Sequence, residues 1–198
     1  MDDIIKSARE IAMEKVEKLG EATDQERLRW QYVPEGEKLG VSYLKQPDIN
    51  LLAELDRYKE GLREYVVEGA SDVLARNIGL PVNDLARKNN RRAMDGLKAL
   101  KSDKVAVENV FSRMRNIFKH YAEQGEQQRK QAYQSLKAEF EAKVRQALQQ
   151  QLGSFAGVRI DVERQPQFHE EWRRLQAQMD AQYLTLLDEY KRELSGLA

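Results

Sequence analysis

The sequence predicts an all-α protein, with an N-terminal group of shorter helices over residues 1–101 and a long antiparallel helical hairpin over residues 103–198. Three observations lead there. Charged residues make up 33% of the 198-residue chain and hydrophobic ones 41%, a balance that suits long helices with narrow apolar stripes better than a thick core. There are only four prolines, and none falls between Val105 and Leu152. Apolar side chains recur at three- and four-residue steps along most of the chain.

The first predicted helix carries Ile4, Ala8, Ile11, Ala12, Val16 and Leu19 on one face and stops at Gly20. Thr23 and Glu26 fit a capping box that opens a short second helix through Leu28, Trp30 and Tyr32. Pro34, Gly36 and Gly40 then interrupt the pattern, leaving at most a helical turn around Leu39–Leu44. A long helix is expected from about residue 49 to 78, with Leu51, Leu55, Tyr58, Leu62, Tyr65, Val66, Val73 and Leu74 as its stripe. Gly79 would end it in the left-handed conformation, with Pro81 preventing continuation. Asn83 or Asp84 caps the next helix, whose stripe is Leu85, Ala93, Leu97 and Leu100.

In the second half, Val107, Phe111, Met114, Phe118 and Tyr121 form one stripe, and Ala132, Leu136, Phe140, Val144 and Leu148 another. Tyr121 and Ala132 are three turns apart, so the stripes are in phase. A single helix of roughly 48 residues, about 70 Å long, is the expected arrangement. A tight turn at Glu123–Glu126 is the competing one, because Gly125 weakens the helix there by about 1 kcal/mol. The last helix starts at Pro166 and carries Phe168, Trp172, Leu175, Met179, Tyr183, Leu186, Tyr190, Leu194 and Leu197. The mean step of this stripe is about 3.6 residues, closer to a hendecad than to a heptad, which favours a coiled-coil-like pair that is nearly straight. The connector at 153–165 alternates Val158, Ile160 and Val162 with charged residues. It is either an extended loop packed on the hairpin end or an edge strand open to pairing.

Composition excludes several function classes. There is no cysteine, hence no disulfide, thiolate nucleophile or Cys-ligated metal. The start of the chain lacks the basic flank and apolar run of a secretory signal. No stretch approaches the ~20 apolar residues of a bilayer span. No membrane span and a cytoplasmic setting are therefore expected. Lys+Arg and Asp+Glu are 33 each, a net charge of zero that argues against holding nucleic acid by bulk charge. The distribution is uneven. Residues 1–80 carry 12 basic and 17 acidic side chains, whereas residues 81–104 carry 7 and 3. Within the basic stretch, Arg87, Lys88, Arg91 and Arg92 lie inside two helical turns and are the candidate phosphate-contacting residues, although no aromatic side chain accompanies them to stack on a base.

The sequence shows no phosphate-cradling glycine loop, Gly-x-Ser-x-Gly or dinucleotide fingerprint. Two histidines are present, His120 and His169. Neither has the spacing of a helical metal site, though His169 with Glu170 and Glu171 is a conceivable ligand group. Paired carboxylates such as Glu139/Glu141 and Asp188/Glu189 are too common here to mark an acid–base pair. No cofactor is expected.

Asn77-Ile78-Gly79-Leu80-Pro81, the step Gly96-Leu97-Lys98-Ala99-Leu100, and Gln165-Pro166-Gln167-Phe168-His169-Glu170-Glu171-Trp172 followed by Ala181-Gln182-Tyr183 resemble an uncharacterised bacterial family. Its members are helical proteins of about this length with no assigned activity. The resemblance implies the helical architecture and supplies no catalytic residues.

A lone two-helix hairpin covers only one side of its large stripe residues. The expected function is therefore a non-enzymatic structural or adaptor role: a homodimer formed through Phe140, Val144, Trp172, Met179, Tyr183 and Tyr190, presenting long helices to a protein partner still to be identified. The alternatives are a nucleic-acid-associated factor using the 87–104 face and a metal-dependent helical enzyme using His169.

Overall fold

A computed structural model describes residues 22–152 and 161–197 of the chain. These residues form six α-helices: α1 (Asp24–Lys45), α2 (Leu51–Leu55), α3 (Glu60–Arg76), α4 (Asp84–Leu100), α5 (Lys104–Leu152) and α6 (Pro166–Gly196). One 3-10 turn, Val162–Arg164, precedes α6, and there is no strand among the described residues. The fold is all-α. The helix predicted through Ile4 to Leu19, and Val158 and Ile160 of the candidate edge strand, lie outside the described residues. The chain divides into two compact units. One holds the described residues up to 78 together with 91–102, and the other holds 79–90 and the described residues from 103 to 197. Helix α4 therefore contributes its first half to the second unit and its second half to the first.

In the first unit, Thr23 and Glu26 form the expected capping box, with Glu26 also accepting from the Thr23 amide at 2.8 Å. The helix it opens is longer than expected. α1 runs 22 residues, straight through Pro34. Proline removes one N–H and so leaves the Trp30 carbonyl without its helical donor, but Trp30 and Pro34 are both exposed, where water can take that carbonyl. The two glycines that suggested a break instead face α3, and both are buried. A Cβ on Gly36 would collide with the Val66 carbonyl, and one on Gly69 with the Val33 carbonyl; a Cβ on Gly40 would come within 3.1 Å of the Ala70 oxygen. The two backbones therefore touch. Contacts advance together along both helices, from Gly36–Val66 to Gly40–Val73 and Glu37–Arg76, so α1 and α3 run in the same general direction.

That parallel course explains a second departure from the sequence prediction. The helix expected over 49–78 is broken, because the chain must return from the end of α1 before α3 can start. Asn50 caps α2 by accepting from the amides of Leu52 and Ala53, and Lys59 is extended (φ −64°, ψ 149°) at the start of α3. Leu51, Leu55, Val66, Ala70, Val73, Leu74, Ala93 and Leu97 form the buried core of this unit. The helix end at 76–79 also differs. Asn77 closes α3 in the right-handed region with its Nδ2 donating to the Val73 carbonyl at 2.8 Å. Gly79 is not left-handed.

In the second unit, α5 is one helix of 49 residues, about 73 Å at about 1.5 Å per residue, and it passes Gly125 without a turn. It pairs antiparallel with α6: Arg113 meets Glu193, His120 meets Tyr183, Tyr133 meets Trp172 and Phe140 meets Phe168. Val107, Val110, Phe111, Met114, Tyr121, Leu136, Phe168, Leu187 and Leu194 are buried. One stripe position shifts. Leu187 is fully buried, whereas Leu186, the residue expected in the stripe, is 43% exposed. Asn90 is buried in the first half of α4, where its side-chain amide satisfies both backbone groups of one residue, accepting from the Gly79 N–H at 2.9 Å and donating to the Gly79 carbonyl at 2.6 Å.

Candidate functional site: the groove of the helical hairpin

The groove lies along the α5–α6 seam, encloses about 640 Å³ and is open along one side. Ile117, Met179 and Leu186 supply its apolar surface, and Asn116, Gln128, Gln178 and Gln182 supply amides. At one end the Arg113 guanidinium lies 4.7 Å from the centre of the Tyr190 ring and forms an ion pair with Glu193. That pairing uses the positive charge within the chain and sets it over the face of the tyrosine ring. In the middle, His120 Nδ1 lies 2.8 Å from Tyr183 Oη, and their rings are tilted 5.7 Å apart.

Beneath Tyr183 the seam turns polar. Tyr121, buried on α5, meets the Tyr183 ring edge-on at 5.2 Å. Its hydroxyl donates to Asp180 Oδ2 over 3.4 Å. Arg129 lies 4.0 Å from the centre of the Tyr121 ring, donates to the Tyr121 carbonyl at 3.1 Å, and stands 3.8 Å from Asp180 Oδ1. Burial pushes the Tyr121 hydroxyl pKa up, and the negative charge of Asp180 adds to this while Arg129 opposes it. Gly125 has a packing role here. A Cβ at that position would lie 3.1 Å from Arg129 Nη1 and 3.2 Å from Tyr183 Oη.

Nearer the connector, Phe168 is fully buried between Tyr133 and Phe140, with ring centres 5.4 and 5.5 Å away, both edge-on. Trp172 meets the other side of Tyr133 at 5.0 Å. The 3-10 turn is fastened to α5 by Glu163, which accepts from Tyr133 Oη at 2.5 Å and from Lys137 Nζ at 2.8 Å. The hydrogen bond from Lys137, then that from Tyr133, holds the Glu163 carboxyl below its ordinary pKa. The same two bonds raise Lys137 and Tyr133, each through its own. Val162, expected either in a loop packed on the hairpin end or on an edge strand, is fully buried in the 3-10 turn.

Of the six residues expected at an interface, Met179, Tyr183 and Tyr190 come together in the groove, while Phe140 and Trp172 join the aromatic cluster. Val144 lies further along α5. All six are half-buried. The basic residues of α4 do not act as a set. Arg92 donates to the carbonyls of Tyr43 and Gln46, each at 2.5 Å, and stacks 4.1 Å from the Tyr43 ring centre, so it closes the C-terminal end of α1. Arg87 pairs with Asp84 at 2.5 Å, and Lys88 and Arg91 are exposed. His169 packs its ring 6.0 Å from Phe168. Among the described residues no three His, Cys, Asp or Glu side chains gather as metal ligands, and no helix is long and apolar enough to cross a membrane.

The groove and its polar floor fall within residues 113–190, and the whole hairpin lies inside a stretch matched by a known family. The model of a family of unknown function, DUF6657, matches residues 52–196. The chain belongs to that family. No curated protein and no solved structure matches the chain. The DUF6657 match takes in α3 to α6 and all but the first residue of α2, and leaves α1 outside it. Both the groove and the Glu163 anchor are thus built from family residues. Several of the site's key groups, Arg129, Asp180, Glu163 and Asn90, drew no attention in the sequence. Arg129 and Asp180 had a usable signal. Each is a charge at a stripe position, Arg129 four residues after Gly125, and Asp180 seven before Leu187.

Proposed function

We propose that this chain is a non-enzymatic structural or adaptor protein that pairs with a second copy of itself through the groove of its helical hairpin. The supporting observation is the groove itself: Met179, Tyr183 and Tyr190 line it beside Ile117 and Leu186, and among the described residues these three remain half-buried and Leu186 exposed. A hairpin of two helices buries one stripe per helix and leaves the flanks to be covered from outside. A second hairpin laid on the first, as in a four-helix bundle, covers them with the same residues on each side. The adaptor role, in which the paired hairpins present their outer faces to another protein, is the second half of this proposal.

Leu186→Lys and Met179→Lys test the pairing, since Leu186 is exposed and Met179 half-buried at the groove. Phe140 and Trp172 are less suitable, because each also packs inside the hairpin. In light scattering at micromolar concentration, the wild-type chain is expected at twice its monomer mass. Each variant is expected at the monomer mass with its helical circular dichroism intact. A monomeric wild-type chain would refute the pairing.

A further inference from the structure

The apolar stripe of α6 repeats Leu175, Met179, Tyr183, Leu187 and Tyr190 at steps of three and four. Slid by one turn along α5, it would again set large apolar side chains against large apolar side chains. Hydrophobic contact alone thus discriminates poorly between neighbouring registers, as in long coiled coils, where a single buried polar residue fixes the register at some loss of stability. The α5–α6 seam contains such a layer. Arg129 and Asp180 are 18% and 23% exposed, whereas the hairpin pairs Arg113–Glu193 and Lys137–Glu163 leave every side chain more than a third exposed. Tyr121 roofs the layer, and Gly125 opens the space that the guanidinium occupies. The layer's bonds are loose for its burial. Arg129 stands 3.8 Å from Asp180 Oδ1, and that oxygen is buried without a hydrogen bond. In a register shifted by a turn, Asp180 would lose both Tyr121 and Arg129, and Arg129, still held by Tyr121 on its own helix, would lose its carboxylate.

We propose that the Arg129–Asp180 layer is a register lock. It contributes little to the strength of the hairpin and sets which turn of α6 lies against which turn of α5. The proposal does not depend on the pairing of two copies, because both members lie on one chain.

The absence of cysteine allows clean spin labelling of the full chain. Ser112→Cys and Ala177→Cys place labels at two exposed positions offset along the hairpin, so that their separation follows the register. With the lock intact, pulsed electron paramagnetic resonance is expected to give one distance. In the Arg129→Leu/Asp180→Leu background, a second population displaced by about one turn, ~5.4 Å, is expected, with a melting temperature equal to or above that of the parent. A reversed pair, Arg129→Asp/Asp180→Arg, should return the distribution to one distance. A single unchanged distance in the leucine background overturns the proposal. So does loss of helical signal in that background, since a lock removed from a zipper leaves the zipper closed.

Discussion

Glu163 fastens the 3-10 turn through one carboxylate, and the sign of its pH dependence follows from its partners. Its pKa is depressed in the folded chain. Its contribution is therefore present above the unfolded value of about 4.3 and is lost as pH falls through the lower folded value. Lys137 is raised by the same bond, so the contribution fades again only as strongly alkaline pH passes the lysine's elevated value. Thermal melts of the wild type and Glu163→Gln should differ at pH 6, with the gap closing as pH drops below about 4. A gap that stays constant down to pH 3 would mean that the carboxylate charge is not what holds the turn. Glu163 could not be singled out beforehand, because one acidic residue among 33 acquires its role only when the connector folds back onto Tyr133 and Lys137.

At the scale of the helix, the tightest glycine contacts among the described residues are where α1 crosses α3. Gly69→Ala places a methyl group against the Val33 carbonyl, a backbone atom that cannot swing aside. A loss of about 1–3 kcal/mol in urea denaturation is expected. Gly61→Ala, in the same helix with nothing near its Cβ, should instead gain up to about 1 kcal/mol. Equal effects at the two sites would contradict the backbone contact. The same crossing shows where the sequence was legible. Periodicity located α5 and α6 closely, because their stripes continue for dozens of residues and proline is absent from α5. It fails at Gly36 and Gly40, which interrupt the apolar pattern although their four-residue spacing sets both on one helix face. It also failed at 56–59, where an unbroken stripe hid the reversal that brings α3 beside α1. A stripe records which face is buried. It does not record whether the partner helix arrives parallel or antiparallel, and that decides where a helix must stop. The groove was half legible: its aromatic residues stood out, while Arg129 and Asp180 passed as ordinary surface charges.

For the molecule as a whole, the nucleic-acid alternative rests on charge, and two of its four candidate residues are engaged within the chain. The chain is neutral overall, Arg92 closes a helix end and Arg87 is paired. Too few phosphate contacts remain to release many counterions. The anisotropy of a labelled duplex should therefore stay flat on addition of the protein at about 0.15 M salt. A rise that collapses steeply with added salt, and is lost in Arg91→Ala, would restore that reading.

The touching backbones of α1 and α3 also bear on behaviour in the cold. Separating those helices at Gly36 and Gly69 wets peptide groups along with hydrocarbon. Hydration of polar groups lowers the heat capacity of unfolding, whereas hydration of apolar groups raises it. Compared with an aliphatic seam of equal extent, this crossing should lose less of its hold on chilling, leaving the unit built around it the more tolerant of temperatures near freezing.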